Sequence, residues 1–271
     1  MTNRALSFVG IPGRSEKPRR VGLTLARDLG LGYAEAESWM EAVGEFIDYI
    51  KIRHLFVLLM RDDPRDLVVR KIQLYRHHAI DVNPGGIVFE MAWLDNAAQP
   101  LFQRLAQLGF TAVECSENII TLTLQQKLEA IRQARAAGLK VLFEVGEKYP
   151  TDAFDVQQAA TEILAMRDAG CELCILERSQ IEQCLGPDAA NPQSERLIRL
   201  VELVGLENIV FEAESLNHQQ WLFQTFGAEV NLGPNLDKDV IPKLEPTRRT
   251  LSREGGYGYL FDKIAQRERQ R

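Results

Sequence analysis

The sequence predicts an α/β chain folded as a single-domain (β/α)8 TIM barrel. Three observations predict it. Short apolar runs recur eight times, an amphipathic helical stretch follows most of them, and the runs end in charge or glycine at one sharp point. The 271 residues are slightly more than this architecture usually needs. A doubly wound open sheet is the competitor, but no GxGxxG follows the first run and no GxxxxGK(S/T) occurs anywhere. Its nucleotide-binding versions therefore lose support.

The stretch LKVLFEVGEK, Leu139 to Lys148, shows the repeating unit most plainly. Val141, Leu142 and Phe143 leave no polar face, as in a strand covered on both sides. Glu144 falls where such a strand should surface, Gly146 permits a turn, and Lys148 reaches back.

Taken in order, residues 1–20 read as an N-terminal arm, 21–250 as the barrel and 251–271 as a C-terminal extension or subunit contact. Val21–Leu25 is the first expected strand, and a helix over Tyr33–Glu45 leads to a second strand, FIDYIKI, ending at Lys51 and Arg53. Pro64 suits the first turn of the next helix, where its missing N–H costs nothing, and Leu67, Val68, Ile72 and Tyr75 recur at helical spacing. Ile80–Val82 is the third strand. A helix over Ala97–Leu108 closes at Gly109, and TAVECS supplies the fourth strand with Glu114 and Ser116 at its end. Leu124, Leu128 and Ile131 mark the helix before the fifth strand. Beyond a helix over Phe154–Arg167, CELCILE ends at Glu177, and a helix over Ser194–Val204 precedes NIVFEAE with Glu212 and Glu214. His218–Phe226 is helical, AEVNLG is the eighth strand, finishing at Asn231 and Gly233, and Asp237–Thr250 forms a last barrel helix.

Composition sets bounds on function. With 45% hydrophobic and 26% charged residues the chain is in the ordinary globular range. No apolar run reaches about 18 residues, and the N-terminus lacks a signal-peptide core, so a cytoplasmic location is expected. A net charge of −6 without a clustered basic stripe argues against nucleic acid, and no membrane partner is expected. Cys115, Cys171, Cys174 and Cys184 are too sparse for a disulfide scaffold; buried thiols explain the Cys171/Cys174 pair better than a metal site, since no second CxxC exists. Histidines form no HExxH, and no serine sits in a GxSxG.

In a barrel the strand ends face one opening, so Lys51, Arg53, Glu114, Ser116, Glu144, Lys148, Glu177, Arg178, Glu212, Glu214 and Asn231 converge. Several carboxylates around one mouth suit either a hard cation such as Mg2+ or general acid and base work. A lysine among them can deliver or take a proton. Any one of these residues alone is more commonly part of a salt-bridged rim.

The motifs KPRRVGLTLARDLGLG, AVGEFIDYIK, PGGIVFE, LGFTAVECS, FEVGEK, FEA and EVNLG, in this order from about Lys17 to Arg249, resemble the phosphosulfolactate synthase family. The resemblance implies a TIM barrel that adds sulfite to phosphoenolpyruvate with Mg2+, an early step towards coenzyme M, and that acts as a homo-oligomer. It implies catalytic roles for Lys148, as proton donor, and Lys51. It implies metal ligation by Glu144, Glu177, Glu114 and Glu212 and a phosphate approach at Gly233, while Arg53, Ser116, Arg178 and Asn231, read from the strand ends, are expected to bind the small anionic substrate with it. The chain also departs from the family pattern. KIRHLFV stands where a KFGWGTS-type run is usual, LERSQIEQ where an ARESG-type segment is usual, SENII lacks the usual glycine, and Leu29 replaces a lysine beside Asp28.

Three readings follow: a carbon–sulfur lyase of the phosphosulfolactate synthase kind, a related enzyme for another small phosphorylated or carboxylated anion, or a barrel without catalysis that works as a stress-related or interaction protein, as plant relatives suggest. A mouth plugged by His54, Leu55 and Phe56 would favour the last.

Overall fold

The computed structural model describes residues 4–270; residues 1–3 of the expected arm and Arg271 of the expected extension lie outside them. The chain opens with β1 (Thr24–Asp28), α1 (Tyr33–Val43), β2 (Tyr49–Ile52), α2 (His54–Leu58), α3 (Leu67–His77) and β3 (Asp81–Pro84). α4 (Ile87–Leu94), α5 (Ala98–Gln107), β4 (Ala112–Cys115), α6 (Leu124–Ala136) and β5 (Lys140–Val145) follow. The second half holds α7 (Val156–Asp168), β6 (Leu173–Leu176), α8 (Arg178–Leu185), α9 (Glu195–Val204), β7 (Ile209–Phe211), α10 (Leu216–Phe226), β8 (Leu232–Leu236), α11 (Ile241–Arg248) and α12 (Gly258–Arg269).

The strands lie side by side in the order β3-β2-β1-β8-β7-β6-β5-β4, and the pairs are parallel. Thr111 closes the ring. Its N–H donates to Val82 O at 3.1 Å, and its Oγ1 accepts from the Val82 N–H at 2.8 Å. The expected (β/α)8 barrel is therefore the fold. No helix among the described residues is long and apolar enough to cross a membrane.

Strand side chains alternate between two separate cores, as a closed sheet requires. Leu23, Leu25, Tyr49, Ala112, Leu142, Leu173, Ile175 and Val210 pack together inside the barrel. Their neighbours Ala26, Ile50, Val113, Phe143, Cys174 and Phe211 meet the surrounding helices. All four cysteines are buried and unpaired, so the Cys171/Cys174 pair is part of the packing.

Two strand boundaries move. β1 starts at Thr24 instead of Val21, which brings Arg27 and Asp28 into the strand. β8 starts at Leu232, near the end of the span expected for it. Gly233 has φ +137°, and a Cβ there would run into the Leu25 backbone, so the glycine lets β8 lie close against β1. Pro64 precedes α3 instead of opening it; Asp66 caps that helix, accepting from Val68 N–H at 2.8 Å. Three helices directly after strands, α2, α4 and α8, are additions to the expected elements. Five residues of HLFVL and the nearly continuous apolar run IVFEMAWL carry no helical periodicity to detect.

The arm is tied to the barrel by charge. Arg14 donates to the Glu245 carboxylate and, at 2.6 Å, to Gly22 O; Arg249 Nε reaches Glu245 Oε1 at 2.7 Å, and the buried Arg248 lies beside them. Burial pushes the Glu245 carboxyl up, but Arg14, Arg249 and Arg248 outweigh it and hold it below the ordinary carboxylate range. A folded pKa below the unfolded one stabilises the protein above the unfolded value, and that contribution is lost as pH falls through the folded value. Glu245→Gln is therefore expected to cost about 3–5 kcal/mol at pH 7 in urea titrations, because it leaves buried guanidinium charge uncompensated. The difference from wild type should narrow below about pH 4.

Candidate active site

The period of two that fills the barrel interior also builds its mouth. One inward step beyond Leu25, Tyr49, Ala112, Leu142, Ile175 and Val210 stand Arg27, Lys51, Glu114, Glu144, Glu177 and Glu212. Asn83 of β3 and Asn235 of β8 complete the ring. All lie at the C-terminal ends of the strands, where barrels of this kind place their chemistry.

Glu144, Glu177 and Glu212 are buried, and each has a carboxylate oxygen within 4.8 Å of the others. Lys148 Nζ lies 3.1 Å from Glu177 Oε1, and Asn235 Nδ2 donates to Glu212 Oε1. Lys51 Nζ is 3.2 Å from Glu114 Oε1, which also accepts the Gly86 N–H at 3.1 Å. Glu114 Oε1 is thus held by Lys51 and Gly86 while its Oε2 is buried without a hydrogen-bond partner, and Glu114 lies beside the three carboxylates that converge within 4.8 Å. Burial drives the Glu144 carboxyl well above its ordinary value, with repulsion from Glu114 and Glu212 adding to it. Burial, then repulsion from Glu177, pushes Glu212 up to about 7. Burial disfavours the Lys148 ammonium, but Glu177, Glu144 and Glu212 together raise it above its ordinary value.

A cleft of about 310 Å³ opens over this layer, lined by Arg27, Lys51, Arg53 and His54 from the β1–β2 side and by Glu114, Glu144, Lys148 and Asn235. It is open. Phe56 packs on Gly30 and Leu55 is 51% exposed, so of the three residues that could have plugged the mouth only His54 lines it.

Other expected residues lie elsewhere. Asn231 sits at the opposite end of the barrel. Its Oδ1 accepts the Leu23 N–H at 2.9 Å, and its Nδ2 donates to Ile209 O at 2.9 Å, so it ties the starts of β1 and β7. Gly233 is inside β8 against Leu25 and touches no part of the cleft. Both follow from the shifted start of β8. Ser116 is buried, its hydroxyl donating to Glu90. Arg178 opens α8 and turns to the rim, 3.6 Å from Glu214 Oε2 and 3.4 Å from Glu182 Oε1. Glu214 itself faces the mouth, with Arg27 Nη1 at 4.0 Å.

The model of the family described as ComA, (2R)-phospho-3-sulfolactate synthase, matches residues 12–254. The chain belongs to this family. Phosphosulfolactate synthase of Methanothermobacter thermautotrophicus is 31% identical over 244 residues, covering 89% of this chain and 93% of that one. Its counterpart in Methanocaldococcus jannaschii is 30% identical over 236 residues, covering 85% and 92%. Among solved structures, type I 3-dehydroquinate dehydratase from Clostridium difficile superposes with a TM-score of 0.53 at 9% identity, covering 90% of this chain and 98% of that one, a likeness of fold alone.

In this member of the phosphosulfolactate synthase family, several residues that position the mouth escape a reading of strand ends. Arg27 reaches the cleft, held by Asp237 at 2.6 and 3.1 Å; its signal is the alternation Leu23, Leu25, Arg27. Asn235 hides behind a Gly-Pro pair that reads as the end of a strand. Gln180 of α8 donates to Glu147 O at 3.1 Å, and Gly146, at φ +105°, leaves room for its side chain, so α8 fixes the turn that carries Lys148. Asp28 points outward instead, accepting from Lys71 at 2.5 Å and Tyr75 at 2.8 Å among the helices.

Glu90 of α4 organises the loop after β4. Its buried carboxylate accepts from the Ser116 hydroxyl, from Asn118 N–H at 3.0 Å and Nδ2 at 2.7 Å, and from Ile119 N–H at 2.9 Å. Burial opposes its charge, but these donors hold its pKa below the ordinary value. Asn118 thereby comes to line the cleft. Glu90→Ala strands buried donors and should cost about 3 kcal/mol in urea titrations. Hydrogen exchange should accelerate first at the amides of Asn118 and Ile119.

Proposed function

We propose that the chain adds sulfite to phosphoenolpyruvate, giving 2-phospho-3-sulfolactate, with Mg2+ as its metal and as a carbon–sulfur lyase of the family's kind. The sorting of charge across the mouth carries the proposal. Arg27, Lys51, Arg53 and His54 line the cleft from the β1–β2 side, while Glu144, Glu177 and Glu212 converge from β5, β6 and β7 with Lys148 beside them. Two anionic substrates need the first set, and a hard cation needs the second.

The residues fit Mg2+. Every donor of the convergent group is a carboxylate oxygen, Glu212 Oε2 is buried with no hydrogen-bond partner, and three neighbouring buried carboxylates are costly without a compensating cation. Held by Glu144, Glu177 and Glu212, the metal would supply positive charge where the substrate carboxylate gains negative charge.

The chain's own groups account for the remaining needs. Lys51, fixed by Glu114, and Arg53 bind the anionic substrate. The sulfur lone pair of sulfite forms the C–S bond at the methylene carbon. The π electrons move towards the adjacent carbon and its carboxylate, and a proton must then reach that carbon. Lys148 is suited to give it, since the surrounding carboxylates keep its ammonium charged. Asn235 holds Glu212 in register with the other carboxylates. The open cleft speaks against a barrel that has lost catalysis.

The test is 31P NMR of the protein with phosphoenolpyruvate, sulfite and Mg2+. A new phosphate-ester signal is expected from wild type and not from Lys148→Ala, with turnover reduced at least about 100-fold. Folded wild-type protein without turnover would sink the assignment, and phosphoenolpyruvate binding without turnover would point to another nucleophile. Metal binding has a separate readout. Mg2+ should raise the Tm of wild type and leave the Tm of a Glu177→Gln/Glu212→Gln variant unchanged.

A further inference from the structure

The C-terminal helix α12 lies beyond residues 12–254 that match the family, and none of its residues is buried. It touches the rest of the chain through one edge. Tyr259 N–H donates to Thr250 Oγ1 at 3.1 Å, and Lys263 Nζ lies 3.5 Å from Gly10 O. At 100° per residue, Leu260, Phe261 and Ile264 fall on a different side, at exposures of 46%, 63% and 52%, and Tyr257, which precedes the helix in a left-handed backbone conformation, is 42% exposed. Glu268 continues the same stripe at its C-terminal end. A helix of this length gains little from its backbone alone in water, so a bare apolar stripe of this kind calls for a partner.

We propose that α12 pairs antiparallel with α12 of a second copy of this chain, about a two-fold axis. The stripe is self-complementary only in that direction. An axis between Asp262 and Lys263 sets Phe261 of one protomer against Ile264 of the other, and Tyr257 against Glu268. The α12 N-terminus has no side-chain cap and no acidic residue in its first turn. Glu268 from the opposite helix supplies the missing negative charge there, and the Tyr257 hydroxyl can donate to it. A parallel pairing would instead set Glu268 against Glu268. One helix is small for a stable interface, which takes about 800 Å² per partner. Leu6, Phe8, Val9 and Ile11 of the arm, next to the Gly10 contact, are exposed apolar side chains as well.

Sedimentation equilibrium of the full chain and of Phe261→Glu/Ile264→Glu tests this. The variant should keep the wild-type circular dichroism and Tm, since both positions are exposed, and its mass should be half that of wild type. An unchanged mass, a change by another factor, or a monomeric wild type would overturn the proposal. A second measurement fixes direction. Under oxidation Tyr257→Cys/Glu268→Cys should form covalent dimers and neither single variant should; cross-linking by the single variants would overturn the antiparallel arrangement.

Discussion

Four glutamates buried at one end of a closed barrel are the constraint on which the rest of this structure depends. Glu114, Glu144, Glu177 and Glu212 come from four consecutive strands, and among the described residues Lys51 and Lys148 form ion pairs with them. Carboxylates so close in a desolvated space repel one another, which is why Glu144 and Glu212 bind protons more tightly than free glutamate. Such an arrangement costs stability and persists where its charge is used. Three of the four, Glu144, Glu177 and Glu212, bring carboxylate oxygens within 4.8 Å of one another.

Holding that layer takes a second tier of contacts in the loops and helices around it. Asp237 tethers Arg27, Gln180 fixes the Gly146 turn that carries Lys148, and Glu90 pins the loop that carries Asn118. Asp28 does the same between helices, anchoring α3 through Lys71 and Tyr75. These residues belong to the scaffold of the cleft, and their chemistry resembles that of catalytic groups closely enough to be mistaken for it in a sequence.

Two segments that depart from the family pattern form helices beside the mouth. KIRHLFV gives Arg53 and His54 to the cleft and then forms α2, whose Phe56 packs on Gly30 and leaves the mouth open. LERSQIEQ forms α8, which turns Arg178 outward to Glu214 and Gln180 inward to the Lys148 turn. The result is a mouth whose cationic side joins Arg27 and Lys51, from segments that carry the resemblance, to Arg53 and His54, from one that departs from it.

The sequence by itself determined the barrel and the inner ring of Lys51, Glu114, Glu144, Glu177 and Glu212. Short apolar runs that end in charge are local information, and eight of them alternating with amphipathic helices point to a parallel sheet covered by helices. What it could not determine was where β8 begins, because a glycine's role depends on the backbone beside it. Only the packing of Gly233 against Leu25 moved Asn231 to the far end of the barrel and brought Asn235 to the mouth. Tertiary structure likewise decided that Ser116 and Arg178 serve Glu90 and Glu214, since a side chain's partners come from segments distant in the chain.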